Sequence, residues 1–362
     1  MQSGKRIIFV LEKKKGPLCA TDRVSLEYAG WFLKKGFSVE KFYKSEMFFY
    51  GTKADFLFHP LIIAFRLLRY RRSAGVFCIG SDGAAAAPAS VPGLLPPVIS
   101  INHGSLPRVY EASKKYGSAS AACFLTRPLR SILTFSQMLF SKKILCVSRN
   151  DEAFLKRKYR FLKNKILYIG NGAAPSDMKT DPDENKTIIF TGSFTWKKGY
   201  GCLEELIASF PLNKFRWEIT GTGVPDKLLI TKHPRLNRKD VIITRELSHA
   251  KLMRKFAEGM CLVQTSLFEG SPLVLYEAMA AGLPQIIFDY ENGFSDTIDN
   301  ETGFIIQTGN IKKMAEALER LSGSAELRKR MTANSLRQSR HFTWEKRCEN
   351  LKEVLPDLGY AQ

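Results

Sequence analysis

No run of this 362-residue chain reaches the roughly 18 consecutive apolar residues that a membrane-spanning helix needs. Its opening stretch, MQSGKRIIFVLEKKK, holds an apolar run of only five residues, which reads as a first strand and not as a signal peptide. Cysteine is scattered at 19, 78, 123, 146, 202, 261 and 348, with no CxxC and no paired spacing with histidine. That argues against a zinc module or a disulfide framework and fits reduced cytosolic thiols. The glycine signatures of nucleotide binding are missing too. A single glycine, Gly16, follows the first apolar run, GTGVPD (221–226) has Asp226 where a third glycine belongs, and no GxxxxGK[ST] loop occurs. A phosphate site in this chain has to be built another way. Acidic residues are the scarce charge: 35 against 55 Lys and Arg, a net of +20. The shortage is local, because residues 1–172 hold 29 basic and 10 acidic residues and the remainder 26 and 25. The first half therefore faces something anionic, whether a membrane, a polyanionic acceptor or nucleic acid.

What is present points to two packed cores. Hydrophobic residues make up 44% and aromatics 11% of the chain, and the length suits two domains of ordinary size. RIIFVLE (6–12), FSVEKFY, GVFCIG, PVISINHG, KILCVS and KILYIG read as strands. Thr21 or Asp22 is placed to cap a helix through RVSLEYAGWFLKK, closed by Gly36. A hydrophilic run, SDMKTDPDENK (176–186), marks a linker, and strands then alternate with helices again: TIIFTGSF, FRWEITGTG, VIITREL, MCLVQTS and PQIIFD, with helices such as HAKLMRKFAEG and PLVLYEAMAAG between them. The pattern predicts an α/β protein of two doubly wound, Rossmann-like domains, 1–172 and 173–342.

SLFEGSPLVLYEAMAAGLP (266–284) draws attention because two glutamates flank a Gly-Ser-Pro corner that opens a helix. Ser271 is a good N-cap and Pro272 a natural first helical residue, while Gly270 lets backbone approach a ligand. A strand that delivers its carboxyl end to an uncovered helix N-terminus makes an anion site at the usual ligand edge of an open α/β sheet. Glu277 lies five residues past Pro272, about 7.5 Å along the axis, the offset of a ribose attached to a diphosphate bound there. Glu269 stands on the other side of the corner, where a transferred sugar would sit. By spacing alone, Glu277 fits an exposed helix face equally well.

FEGSPLVLYEAMAAGLPQIIFD resembles the EX7E region of retaining GT-B glycosyltransferases of family 4. FTGSFTWKKG is similar to that family's glycine–basic–KG stretch, TGTG to its Gly-rich turn and VIITRELSHAKLMRKFAEG to its base-side segment. ILCVSRNDEAFLKRKY with IGNGAAP resembles the end of its N-terminal domain, and FTWEKRCENL its closing helix. The resemblance implies the GT-B fold, two Rossmann-like domains facing across a cleft, with a C-terminal helix (343–362) packing back on the first domain. It implies that Glu277 binds the ribose, Glu269 the donor sugar hydroxyls and the backbone of Gly270, Ser271, Pro272 and Leu273 the phosphate or sugar. Lys198 is implied to pair with the diphosphate and stabilise the leaving group. Gly16, Gly221, Arg245 and Leu247 are implied to line the donor site, and His103, Gly104 and Ser105 the acceptor side, His103 near both donor sugar and acceptor. Glu269, Lys198 and His103 are then the catalytic residues. The family's arginine is Ser193 here, with Lys197 a candidate substitute; its glycine before the base-side helix is Arg245, and its GG-x-x-E is NGFSD (292–296).

The resemblance further implies a retaining, hexosyl-type glycosyltransferase that uses a UDP- or GDP-sugar as co-substrate, without a cofactor or metal. DPD (181–183) looks like a metal-binding DxD but falls in the linker. Individually, His103 also suits a structural or surface position, and Lys197 and Lys198 an ordinary solvated pair. PLIIAFRLLRYRR (60–72) and CFLTRPLRSILTFSQMLFSKK (123–143) are basic and amphipathic, the composition of helices that lie on an anionic membrane. The acceptor is accordingly expected to be a membrane-associated glycan or lipid-linked, as in lipopolysaccharide or polysaccharide biosynthesis, with the protein peripheral on the cytoplasmic face. A nucleotide-sugar epimerase of GT-B architecture is the alternative enzyme. A basic nucleic-acid-binding protein is the alternative of another class, although no RNP-like or helix-turn-helix pattern is present and no nucleic acid is expected.

Overall fold

The computed structural model describes residues 5–14, 19–47, 50–52, 55–104, 106–116, 121–178, 180, 186–222, 226–290, 296–297 and 299–360. The chain divides into two compact units, Met1–Asn171 with Trp344–Gln362, and Gly172–Thr343.

Unit 1 contains strands β1 (Arg6–Leu11), β2 (Ser38–Tyr43), β3 (Gly75–Ile79), β4 (Val98–Asn102), β5 (Lys143–Cys146) and β6 (Ile166–Tyr168). They pair in the order β2-β1-β3-β4-β5-β6, all parallel. Unit 2 contains β7 (Thr187–Thr191), β8 (Arg216–Gly221), β9 (Val241–Arg245), β10 (Cys261–Gln264), β11 (Gln285–Phe288) and β12 (Gly303–Ile306). Their order is β12-β11-β10-β7-β8-β9, again all parallel. Parallel strands need helical crossovers that cover both faces of a sheet, so their sequences are continuously apolar rather than alternating. Ile7, Ile8, Phe9 and Val10 in β1, and Leu262 and Val263 in β10, are accordingly buried. Phe9 stacks on Phe77 of β3 at 4.6 Å, and Phe32 leans on Phe77 from the covering helix Ala20–Lys34. Around Trp217, Phe190 and Phe256, all fully buried, the second core forms.

Three local expectations change. The first helix begins at Ala20, behind an extended Cys19 that provides no side-chain cap. Asp22 sits inside its first turn, fully buried, and accepts hydrogen bonds from the amides of Glu12 (2.8 Å) and Lys13 (3.1 Å) where the chain leaves β1. It therefore shapes the exit of the first strand instead of starting the helix. The third strand of unit 2 stops at Arg245, so Leu247 belongs to the following loop. The chain's end is a short helix, Trp344–Cys348, and two 3-10 turns, Glu349–Val354 and Pro356–Leu358, rather than one helix from 343 to 362. It is pinned within unit 1 by Trp31 Nε1 donating to Glu349 (3.3 Å) and Asn350 donating to the Ile169 carbonyl (3.3 Å). Leu358 fills the space beside Gly75, where a Cβ would come within 2.4 Å of its Cδ2.

Ends of three neighbouring strands in unit 1 are tied by one cation. Lys44, after β2, lies 2.6 Å from Glu12 after β1 and 3.1 Å from Asp82 after β3. Burial alone would lower the Lys44 pKa, but the two carboxylates outweigh it and raise it. Removing Asp22 takes the acceptor from two part-buried amides, those of Glu12 and Lys13, and a group left unsatisfied away from water costs about 1–3 kcal/mol. Asp22→Ala is expected to lower stability by about 1–3 kcal/mol in chemical denaturation.

Candidate functional site

In unit 2 the chain starts in the middle of the sheet at β7, moves outward through β8 and β9, then returns to the other side of β7 as β10. Between β7 and β10 the connections leave in opposite directions, the place where open α/β sheets bind ligands beyond their carboxyl ends. The loop after β7 carries Gly192, Ser193, Lys197, Lys198 and Gly199; the loop after β10 carries Thr265 to Pro272.

These two loops are stitched together at backbone distance. Thr265 Oγ1 donates to the carbonyls of Lys198 (3.1 Å) or Gly199 (3.0 Å), and the Leu267 amide donates to the Lys197 carbonyl at 2.7 Å. Gly199 has φ +61°, and a Cβ there would stand 2.0 Å from the Thr265 carbonyl oxygen. Any side chain would force the loops apart. Gly221, ending β8, is required in the same way, since its Cβ would lie 1.8 Å from the Gly192 carbonyl oxygen. A Cβ at Gly192 would in turn meet the Lys198 stem at 2.8 Å. The glycines therefore let Lys198 lie along backbone and bring its ammonium to Glu269, Nζ to Oε1 2.6 Å. Both side chains are largely buried, 14% and 16% exposed. The contact is close but poorly directed: Glu269 Oε1 is buried and receives no well-aligned hydrogen bond.

The helix after the Gly-Ser-Pro corner runs Leu273–Ala280. Pro272 occupies its N-cap position and offers no side-chain cap, so Ser271 is not the cap predicted from sequence. Instead its hydroxyl shares a 3.2 Å contact with the Tyr276 hydroxyl, which donates to Asp296 at 2.7 Å. The first-turn amides thus keep the partial positive charge of a helix N-terminus without a side chain to neutralise it. Glu277 is 3% exposed, not on the solvated face that spacing also allowed. His249, first residue of helix His249–Ala257, places Nε2 3.2 Å from Glu277 Oε1.

Other predicted positions follow the elements that carry them. The Lys197 ammonium lies 5.8 Å from the Phe268 ring centre. Burial pushes its pKa down; Glu269 pulls it up and the neighbouring Lys198 lowers it further. Ser193 accepts from the Thr195 amide through its carbonyl, and Arg245, opposite Gly221 across the β8–β9 ladder, has an exposed side chain. Gly270 and Leu273 flank the corner itself. In unit 1, His103 and Gly104 follow β4 directly, and the Gly104 amide donates to Asn102 Oδ1. Burial holds the His103 pKa down at about 4, and its Nε2 is buried without a partner among the described residues. Gly16, Ser105, DPD (181–183) and residues 292–295 of NGFSD lie outside the described residues. Among those described, no group of three or more His, Cys, Asp or Glu is arranged to hold a metal ion.

Two participants escaped the sequence reading: His249 and Asp296. Asp296 was quoted only as part of NGFSD, and His249 only within the base-side segment, with nothing to aim it at Glu277.

Residues 176–338 match the family of group 1 glycosyl transferases. The match covers the stretch that carries Lys198, Glu269 and Glu277. A curated relative, an uncharacterised glycosyltransferase of Haemophilus influenzae, is 26% identical over 239 residues, 63% of this chain; the chain spans 65% of that relative's length, under two thirds. Sucrose-phosphate synthase of Thermosynechococcus elongatus superposes with a TM-score of 0.79 at 15% identity, over 98% of this chain and 99% of that one. Anabaena HepE in complex with UDP-glucose superposes with a TM-score of 0.71 at 16% identity, over 97% and 99%. The fold is that of the GT-B glycosyltransferases, with two Rossmann-like domains of parallel strands.

Titration of His103 gives a direct check on its environment. Its folded pKa of about 4 lies below the unfolded value near 6.5. Between those values the unfolded chain binds more protons, so this contribution to stability is complete above about pH 6.5 and is lost as pH falls toward 4. His103→Gln is expected to remove about 2–3 kcal/mol of the stability difference between pH 7 and pH 4.5, measured by urea unfolding at both pH values.

Proposed function

We propose that this chain is a retaining, hexosyl-type glycosyltransferase. It moves a sugar from a UDP- or GDP-type donor to a membrane-associated glycan or lipid-linked acceptor, as in lipopolysaccharide or polysaccharide biosynthesis. One observation carries the reading: Lys198, Glu269, Glu277 and an uncapped helix N-terminus converge on the switch point of one parallel sheet, within the stretch that matches the group 1 glycosyl transferases. Supporting it, HepE, a fold neighbour, binds UDP-glucose.

Each group then has a task. Glu277, held by His249 in the free protein, accepts the ribose hydroxyls in its place. The amides at 273–274 and the Lys198 ammonium, seconded by Lys197, stabilise the charge that grows on the diphosphate as the glycosidic bond breaks. Glu269 accepts from hydroxyls of the transferred sugar. The acceptor oxygen attacks from the face the diphosphate leaves, and the leaving phosphate takes its proton, so configuration is retained. No metal is needed, because the cations and helix amides already meet the developing charge. His103, neutral at physiological pH because it is buried, offers an imidazole hydrogen bond rather than a cation. Ser193 leaves the donor with fewer fixed charges than an arginine there would give.

The acceptor side of the proposal rests on unit 1. In helix Asp55–Leu67 and the 3-10 turn after it, Ile63 and Leu67 are buried while Leu61, Phe65 and Leu68 are 58%, 77% and 54% exposed. Leu129, Ile132 and Phe140 of helix Ala121–Phe140 are exposed as well. Arg66, Arg69 and Arg72 lie among the first set. No helix among the described residues is long and apolar enough to cross a membrane. An uncovered apolar stripe edged by arginines suits a bilayer interface, where each basic residue near an anionic surface adds about 1 kcal/mol. The protein is then peripheral on the inner face of the membrane.

Two measurements test this. A nucleotide-sugar screen by thermal shift is expected to find a UDP- or GDP-sugar that raises the melting temperature, and Glu277→Ala to abolish both that shift and transfer while circular dichroism stays native. Full transfer by a folded Glu277→Ala protein removes Glu277 from the site. Sedimentation with vesicles is expected to show binding that grows with anionic lipid, weakens in high salt and is lost in Phe65→Asp. Absence of binding at low salt leaves a soluble acceptor as the reading.

A further inference from the structure

The first sheet has a switch point of its own. The chain leaves β1 for β2 on one side and returns to the other side of β1 as β3. The connections after β1 and β3 therefore depart in opposite directions, which marks the usual ligand edge of an open α/β sheet. The registers Leu11↔Tyr43, Phe9↔Phe77 and Ile79↔Ile101 bring the exits of β2, β1, β3 and β4 to one level. Lys44, Glu12, Asp82 and His103 follow those four strands in that order. The chemistry of this edge opposes a phosphate. The amides of Glu12 and Lys13 are taken by the Asp22 carboxylate at 2.8 and 3.1 Å. The Lys44 ammonium is held between Glu12 at 2.6 Å and Asp82 at 3.1 Å. Glu12, Asp22 and Asp82, of only ten acidic residues in 1–172, gather in an otherwise basic unit. What the edge offers a ligand is hydrogen bonds to hydroxyls. Lys44 touches Glu12 at Oε1, and Oε2, on a side chain 34% exposed, has no partner among the described residues. On the far side, His103 Nε2 is buried without a partner among the described residues. Buried polar atoms are almost always paired, so that exception calls for a reason, and a ligand hydroxyl supplies one. Two strand spacings separate β1 from β4, about 10 Å. One hexose fills such a gap with a hydrogen bond of about 2.8 Å at either end.

We propose that this edge binds an unphosphorylated sugar of the acceptor, Glu12 Oε2 accepting from one of its hydroxyls and the His103 imidazole hydrogen-bonding another. The site rests on the reading of unit 1 as the acceptor side. Lys44 fixes one oxygen of Glu12 and leaves the other to the ligand. Any anionic part of the acceptor, which the basic surface of the unit attracts, then lies away from the sugar being extended.

Saturation-transfer NMR on the full chain at physiological salt tests the site, with glucose, galactose, mannose and N-acetylglucosamine and the 6-phosphate of each as probes. At least one neutral sugar is expected to bind, and its 6-phosphate no more tightly. Glu12→Gln and His103→Gln are each expected to weaken that sugar about tenfold, while the thermal shift given by UDP or GDP stays unchanged. Lys14→Met, which breaks the neighbouring exposed pair with Glu46, is expected to leave sugar binding as it was; an equal loss there means general disruption and overturns the proposal. A 6-phosphate that binds more tightly than its parent makes the edge an anion site and overturns it too. So does a sugar held equally well by the native chain and by Glu12→Gln, which leaves Glu12 as a strand fastening alone. Failure of the native chain to bind any of the four neutral sugars has the same consequence. If the sugar results are as expected but neither UDP nor GDP binds, the donor reading falls and this site stands. If Glu12→Gln does not fold, Asp82→Asn, which loosens Lys44, takes its place.

Discussion

The candidate site depends on one steric constraint, the backbone-to-backbone contact between the loops that follow β7 and β10. Parallel topology places the two strands side by side, and the reversal of strand order leaves their carboxyl ends free of a crossover. Gly199, without a Cβ, lets the Thr265 carbonyl come close; Gly221 does the same for Gly192, and Gly192 for the stem of Lys198. Only with all three approaches in place does the Lys198 ammonium reach Glu269. The charges are thus located by glycines, and the energetics of the pair follow from how little water the packing admits.

Charge is partitioned between the units by task. Unit 2 is nearly neutral overall, and its cations are few, partly buried and individually placed. Lys197 is shielded enough for burial to lower its pKa, whereas Arg245, exposed at the end of β9, is screened by solvent. Unit 1 carries the excess as a diffuse field over lysines and arginines. Its few buried ion pairs, Lys44 with Glu12 and Asp82 and Arg108 with Asp151, fasten strand and helix ends. A diffuse field attracts an extended anionic surface, and a placed ammonium meets a single developing charge. The proposed division of acceptor and donor between the units matches those two kinds of electrostatics.

Sequence carried the architecture well because parallel strands buried on both faces leave long apolar runs that need no partner to be recognised. Lys198, Glu269 and the Gly-Ser-Pro corner were legible for a related reason: glycine, proline and charge cluster where a strand hands over to a helix. Details set by tertiary contacts were not legible. Asp22 had the chemistry of a helix cap, yet two amides on another segment claimed it. Ser271 had the same chemistry and turned to Tyr276. The burial of Glu277 could not be read from its spacing, since the helix Leu273–Ala280 is covered almost all round.

Both glutamates of the candidate site are already engaged by a basic side chain in the free protein, Glu269 by Lys198 and Glu277 by His249. A buried carboxylate left alone is costly, so a site that must hold two of them open for a ligand needs partners that can be exchanged. His249 suits that role, being about half exposed and able to swing aside into water. Lys198 cannot retreat in the same way, because its stem is confined over Gly192. On the proposed reading, a donor therefore meets a site that has already lost most of its water and whose carboxylates each lie against a partner. Its phosphates and hydroxyls take over those partners one for one. The dehydration belongs to folding, not to binding, and what selects the ligand is whether it can satisfy both carboxylates and the freed ammonium at once.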